Sequence, residues 1–492
     1  MRSEALLCAL VVAAAGAGCD RCNANQDRPT IVEPERAAPI TDGHAAAAPA
    51  EGSEPPARPR IVHDAPPGVD GFAVEPIAGD WVTFRGDDAR SGVREVRGIR
   101  QPRVAWSIEV GVQGYANNPI VTADAVYVGS QGEHHNEADE RDGVYSIDPV
   151  TGAIRWFHHE DNDVNGIVLS DGMIVGGGDG RVLFALDAAT GTERWRLEQE
   201  CLLFHAPVVR DGRVVLMRSD EAGGIAEVDV RTGAVTGELG CFRPDRGAVS
   251  HGGDQIFRAS DQDLSMFDAT GRAWVEGEIA TDAWSRTRWA PPLVARDVVI
   301  EAVHRYPFSV DGGFRYRPAA VARWRDNGQL IWAVDINDPS TANSAPETID
   351  TAFLRSLPYL HEDRLIWTPT TAGELVAFDL GSGDRIDSVA LPDCRKRAFG
   401  SIVGTPDMAY YARHDGVVYG FTPKPLGIVW TLGLGLHATA GNDRTHMPAP
   451  GSCFADPKNG TALFATPAIG EDGTLYVGSG DGWLYAVRDR SW

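Results

Sequence analysis

Two short runs of this chain offer side chains that could hold a metal. Glu133-His134-His135-Asn136-Glu137 sets imidazole nitrogens beside carboxylate and amide oxygens, a donor mixture suited to zinc or another transition metal. No helical or strand spacing is imposed on His134 and His135, so we read the run as a solvated acidic loop. Asp161-Asn162-Asp163-Val164-Asn165-Gly166 matches the first half of an oxygen-ligand calcium loop, with Asp161, Asp163 and Asn165 at ligand positions. Gly172 stands where the bidentate glutamate is due, and a plain turn is the better reading. These five residues are the metal candidates; no metal is assigned. Covalent catalysis finds less. The chain has no Gly-x-Ser-x-Gly elbow, and no cysteine has an identifiable histidine partner. No catalytic residue is therefore named, and no cofactor is expected.

Seven cysteines occur. Cys8 lies in a removable leader and Cys22 beside Cys19 in the segment that follows. Cys201, Cys241, Cys394 and Cys453 fall in the globular part, and an even count in an exported domain reads first as disulfides. Cys201 with Cys241 and Cys394 with Cys453 would each staple loops of neighbouring repeats. The other pairings and free thiols stay open.

What must position these groups begins with export. Arg2 and the apolar stretch Ala5 to Ala15 form a signal too short to span a bilayer. Gly16-Ala17-Gly18-Cys19 then resembles a lipobox, with Gly16 where an aliphatic residue is usual, and Cys19 is the expected lipidation site. Several acyl chains on one cysteine anchor stably where a single chain binds marginally. Residues 1–18 are thus read as a lipoprotein signal peptide and 19–75 as an Ala/Pro-rich tether that cannot bury enough apolar surface to fold. A flexible tether of that length spans roughly 40 Å. Asp20 resembles an inner-membrane retention signal used by some bacteria, so outer and inner membrane both remain open. The formal charge of −24, with no basic run to offset it, argues against a nucleic-acid partner.

From residue 76 to 492 the chain repeats itself. Gly143-Val-Tyr-Ser-Ile-Asp-Pro-Val-Thr-Gly-Ala-Ile-Arg-Trp156 aligns with Val182-Leu-Phe-Ala-Leu-Asp-Ala-Ala-Thr-Gly-Thr-Glu-Arg-Trp195. Weaker copies run through Asp229, Asp268 and Asp379. Period-two apolar alternation makes these strands, and a repeat of about 40 residues makes them propeller blades. The aspartate can accept turn N–H bonds, the glycine supplies a positive φ, and the tryptophan can wedge between blades. Seven blades fit between Asn117 and Gly435. An eighth, from Ala465 to Arg490, lacks an outer strand, which Val104 to Val110 would supply. The expected fold is all-β, a propeller of eight four-stranded blades closed by an N-terminal strand, with seven blades the alternative.

The opening Gly79-Asp-Trp-Val-Thr-Phe-Arg-Gly-Asp-Asp-Ala-Arg-Ser-Gly92, then Trp106 and the repeats, resembles the pyrroloquinoline-quinone-binding-like β-propeller repeat family. That family includes BamB-like lipoproteins and the quinoprotein alcohol dehydrogenases. The resemblance covers Gly79 to the C-terminus and implies fold more than function, because its motifs are architectural. Quinoprotein dehydrogenases hold their cofactor on the axis and generally carry two adjacent cysteines; no Cys-Cys pair occurs here. The resemblance thus points to a monomeric, membrane-tethered, non-enzymatic scaffold in the cell envelope that binds a protein partner, one such role being outer-membrane protein assembly. A quinone-dependent oxidoreductase is the alternative. The long segments Ser130–Asp142, His304–Pro318, Asn337–Arg355 and Leu436–Leu463 should all fall on one face, the expected working surface.

Overall fold

The computed structural model describes residues 62–492 except 115–116, 134–136, 199–204, 218–224, 237–247, 260–263, 269–270, 276–289, 306–316, 336–355, 369–373, 392–399, 414–415 and 435–464. Each repeat folds as an antiparallel sheet of four strands, and eight such sheets form the blades. Blade 1 runs from Ile120–Val121 to Ile154–His159, and blade 2 from Val164–Ser170 to Glu193–Glu198. Blade 3 runs from Val208–Arg210 to Val235–Thr236, and blade 4 from Ala248–Gly252 to Gly271–Val275. Blades 5, 6 and 7 open with Leu293–Val294, Tyr359–His361 and Val403–Thr405. In each, the first strand lies at one edge of the sheet; those of blades 1 to 5 touch in succession, and that of blade 8 touches those of blades 7 and 1.

Blade 8 is completed from both ends of the chain. Ala468–Ile469, Leu475–Gly478 and Trp483–Asp489 provide three strands, and Pro102–Glu109 pairs with the last of them, Glu109 opposite Trp483 and Pro102 opposite Asp489. Eight blades closed by an N-terminal strand is the expected architecture. The turn that would join the third and outer strands is here split between the two termini. Asp489 bridges it. Its carboxylate accepts the amides of Arg100 (2.6 Å) and Gln101 (2.9 Å) on one side and of Ser491 (2.9 Å) on the other.

Elsewhere the covalent turn works as its sequence implies. Asp148 Oδ1 accepts the amides of Val150 and Thr151 and the Thr151 hydroxyl, and Asp187, Asp229 and Asp379 repeat the pattern. The tryptophan then docks on the next blade's turn. Trp106, Trp156, Trp195 and Trp332 donate their indole N–H to the carbonyls of Pro149, Ala188, Val230 and Leu380 at 2.7–3.2 Å. At Gly152, which has φ of 75°, an added Cβ would strike the Trp106 ring, so this turn needs glycine twice over. Trp156→Phe keeps the ring but loses the donor. A destabilisation of about 0.5–1.5 kcal/mol in urea unfolding is expected, and none at all would mean that the bond to Ala188 carries nothing.

Described residues ahead of 76 also pack on the blades. His63 stacks on Trp324 with ring centroids 3.7 Å apart and bonds Asp326, while Phe72 is buried among Leu293, Trp332 and Leu360. Single side chains placed in prepared sites hold this stretch, which composition alone reads as tether. The insertion expected from His304 is shorter, because the ladder of blade 5 continues to Arg305 opposite Arg317. In every blade the first-to-second and third-to-fourth turns share one face, the turn face. The remaining loops and the connections between blades share the other, the loop face.

Candidate functional site

The segment Trp81–Arg94 lies along the axis. Trp81 exchanges backbone bonds with Val121 of blade 1 (2.8 and 2.9 Å), and Leu169 of blade 2 donates to Val82 (2.8 Å). His251 of blade 4 donates to Asp88 and Val294 of blade 5 to Ala89. Gly404 of blade 7 donates to Gly92 and accepts from Arg94. Side chains complete the circuit. Thr83 bonds the Pro207 carbonyl, and Arg90 donates to the carbonyls of Phe84, Ala206 and Val249 at 3.1–3.3 Å. Phe84 packs with Ala206, Ala290 and Leu357, where the chain enters the inner strands from the loop face. Val121 and Val294 mark the other end of those strands, so the segment meets the inner strands along their length. Trp81, Thr83, Arg85 and Arg90 are all at most 1% exposed.

Local sequence shapes this insert. Gly86 (φ 93°) closes a turn onto Thr83 and sits where a Cβ would strike Ile77 and the Trp81 ring. Asp87 accepts the amide and hydroxyl of Ser91, and Arg85 donates to the Ser91 carbonyl. Burial dominates the electrostatics. It pulls Arg85 down to about 9 and Arg90 down to about 10, partly offset by Asp87 and Asp88, and it pushes Asp88 up to about 6. Two buried guanidinium groups thus sit at the centre beside two half-buried carboxyls. This arrangement is suited to holding blades together.

The sequence-derived metal candidates do not converge. Asp161 is 98% exposed at its side chain, while Asp163 and Asn165 turn inward. Asn165 accepts from Gln131 and donates to Asp179 Oδ1. Among the described residues, the ligand atoms of His158, Glu160 and Glu193 lie within 4.8 Å of one another. Arg196 already fills that group, with both terminal nitrogens on Glu160 (3.0 and 2.6 Å) and one on Glu193 (2.7 Å). His134, His135, Cys19, Cys201, Cys241, Cys394 and Cys453 lie outside the described residues. The axial residues were missed as a site. Their signal was a Trp, a Phe and three Arg residues in a stretch outside the repeat period.

Residues 140–432, more than half of the chain, match the family described as outer membrane protein assembly factor BamB. The chain belongs to that family. BamB from Moraxella catarrhalis shares its fold at 17% identity and a TM-score of 0.52, over 80% of this chain and 98% of that one. A quinohemoprotein alcohol dehydrogenase from Comamonas testosteroni is also similar, at 16% identity and a TM-score of 0.56, over 83% of this chain and 80% of that one. A europium-containing methanol dehydrogenase shows 15% identity and a TM-score of 0.53, over 83% and 98%. At such identities the likeness shows the fold alone. No curated protein sequence matches the chain. The same fold is thus found in an outer-membrane assembly factor and in dehydrogenases. Among the described residues no helix is long and apolar enough to cross a membrane.

Proposed function

We propose that this BamB-family protein is a non-enzymatic scaffold, tethered to a bacterial membrane through Cys19, that binds a cell-envelope protein through its loop face. The observation that carries the reading is the axial segment. Trp81, Phe84, Arg85 and Arg90 are packed among the inner strands of several blades, which speaks against a quinone seated among them. The family description favours outer-membrane protein assembly as the setting. Anchoring in the outer or inner membrane, and disulfides Cys201–Cys241 and Cys394–Cys453 on the loop face, belong to the same proposal.

The test is an envelope pull-down with the lipidated protein as bait and a variant shortened over 436–463 as control. A defined partner recovered by the first and lost by the second supports the scaffold. Turnover of an alcohol with an artificial electron acceptor, on adding quinone and calcium, would overturn it.

A further inference from the structure

One turn of blade 5 departs from the repeat, and its departures meet at residue 63. The turn joins Arg317–Trp324 to Leu330–Asp335 on the turn face. The Trp324 amide donates to the Gln329 carbonyl and the Gly328 amide to that of Trp324, both at 2.9 Å. The same two bonds tie Asp148, Gly152 and Ala153 in blade 1. Trp324 thus stands where blades 1, 2, 3 and 6 have Asp148, Asp187, Asp229 and Asp379, whose carboxylates accept turn amides. Asp326 takes the place of Val150, and Gln329 that of Ala153. Blade 5 has exchanged the repeat's own turn carboxylate for a flat ring, and it adds a carboxylate and a carboxamide.

These three side chains form one receptor. The His63 ring lies on Trp324, with centroids 3.7 Å and planes 11° apart. Its Nε2 stands 3.1 and 2.9 Å from the two Asp326 carboxylate oxygens. The Gln329 carboxamide accepts the His63 amide (3.1 Å) and donates to the His63 carbonyl (3.0 Å). A carboxamide placed so pairs with the main chain of an extended segment as a neighbouring strand would, whatever its sequence. The ring and the carboxylate select a planar cationic side chain, imidazole or guanidinium. Arg325, within the same turn, is turned away: its guanidinium donates to Gln255 and to the carbonyls of Gly252, Ala295 and Arg296. Little else holds the occupant. Val62 and residues 64–66 are exposed, and the next buried residue is Pro67. An arm with so few buried contacts opens far more easily than the blades do.

We propose that Trp324, Asp326 and Gln329 are a recognition site for an extended peptide bearing a histidine or an arginine, and that residues 62–64 fill it in cis. The site is on the turn face, opposite the loop face, and is independent of the partner assigned there. A second segment enters when the arm leaves.

The test uses the full chain with residues 62–66 changed to glycine and serine at unchanged length. The probe is an end-blocked, fluorescein-labelled peptide with the sequence of residues 61–67. Its anisotropy should rise saturably with this variant. The parent should bind at least about tenfold more weakly, because its own arm is present at an effective concentration of about a millimolar. H63R in the peptide should keep the affinity within about threefold, and H63A should lower it about tenfold. D326N or Q329A, each added to the variant at a half-buried turn position, should also weaken binding about tenfold. No saturable binding overturns the proposal, as does equal binding by the parent, or affinity unchanged by both D326N and Q329A.

Discussion

Removing Trp483–Trp492 should abolish the folded state. Pro102–Glu109 then has no strand to pair with, and blade 8 keeps only its two innermost strands. The cut also takes Leu484, Tyr485, Ala486 and Val487, all at most 2% exposed, out of the core shared with Tyr410 and Tyr476. Total stabilities of about 5–15 kcal/mol leave no room for such a loss. The shortened chain should show no cooperative urea transition and no near-ultraviolet dichroism; a normal transition would mean that the ring does not depend on closure. Asp489→Asn probes the same closure gently. Burial opposes the Asp489 carboxylate, but the amides of Gln101, Ser491 and Arg100 outweigh it and hold the group below its ordinary value. Its folded value is depressed, so the stabilisation is present at neutral pH and lost as pH falls below about 4. The parent should lose more stability than the Asn variant between pH 7 and pH 3. Equal losses would show that Asp489 does not hold the split turn.

Trp81→Ala should cost about 3–5 kcal/mol, the range for a large buried side chain cut to alanine. Trp81 is fully buried in the core cluster that includes Val121, Val403 and Tyr476, and the Arg94 guanidinium lies 5.8 Å from its ring centroid. A residue that merely capped one end of an open channel would cost far less. The urea midpoint should fall with little change in slope, and proteolysis within 79–94 should appear before cleavage within the blades. A cost below about 1 kcal/mol would argue that the axial segment is an accessory rather than part of the core.

The blades were legible because their code is local. Asp187, Thr190, Gly191 and Trp195 lie within nine positions and satisfy one another or the neighbouring turn. Ring closure was legible by elimination, since the last repeat lacked an outer strand. The axial segment was not, because its meaning is non-local. Its residues meet several blades far apart in the chain, and nothing in Thr83-Phe84 announces Pro207 or Leu357. The partners of the calcium-like run were hidden for a related reason. Asp163 and Asn165 flank the start of blade 2's inner strand, whose geometry separates them from Asp161, and their partners are Asp179 and Gln131 in other loops.

The axial segment also has a place in time. A chain made from its N-terminus presents residues 81–94 before any blade exists. The first inner strands to arrive, Ile120–Val121 and Val164–Ser170, find Trp81 and Val82 already there to bond. Pro102–Glu109, by contrast, waits until nearly the whole chain has followed. A chain halted early therefore carries its own label, an outer strand with an unanswered edge, and completion and concealment of that edge are the same event.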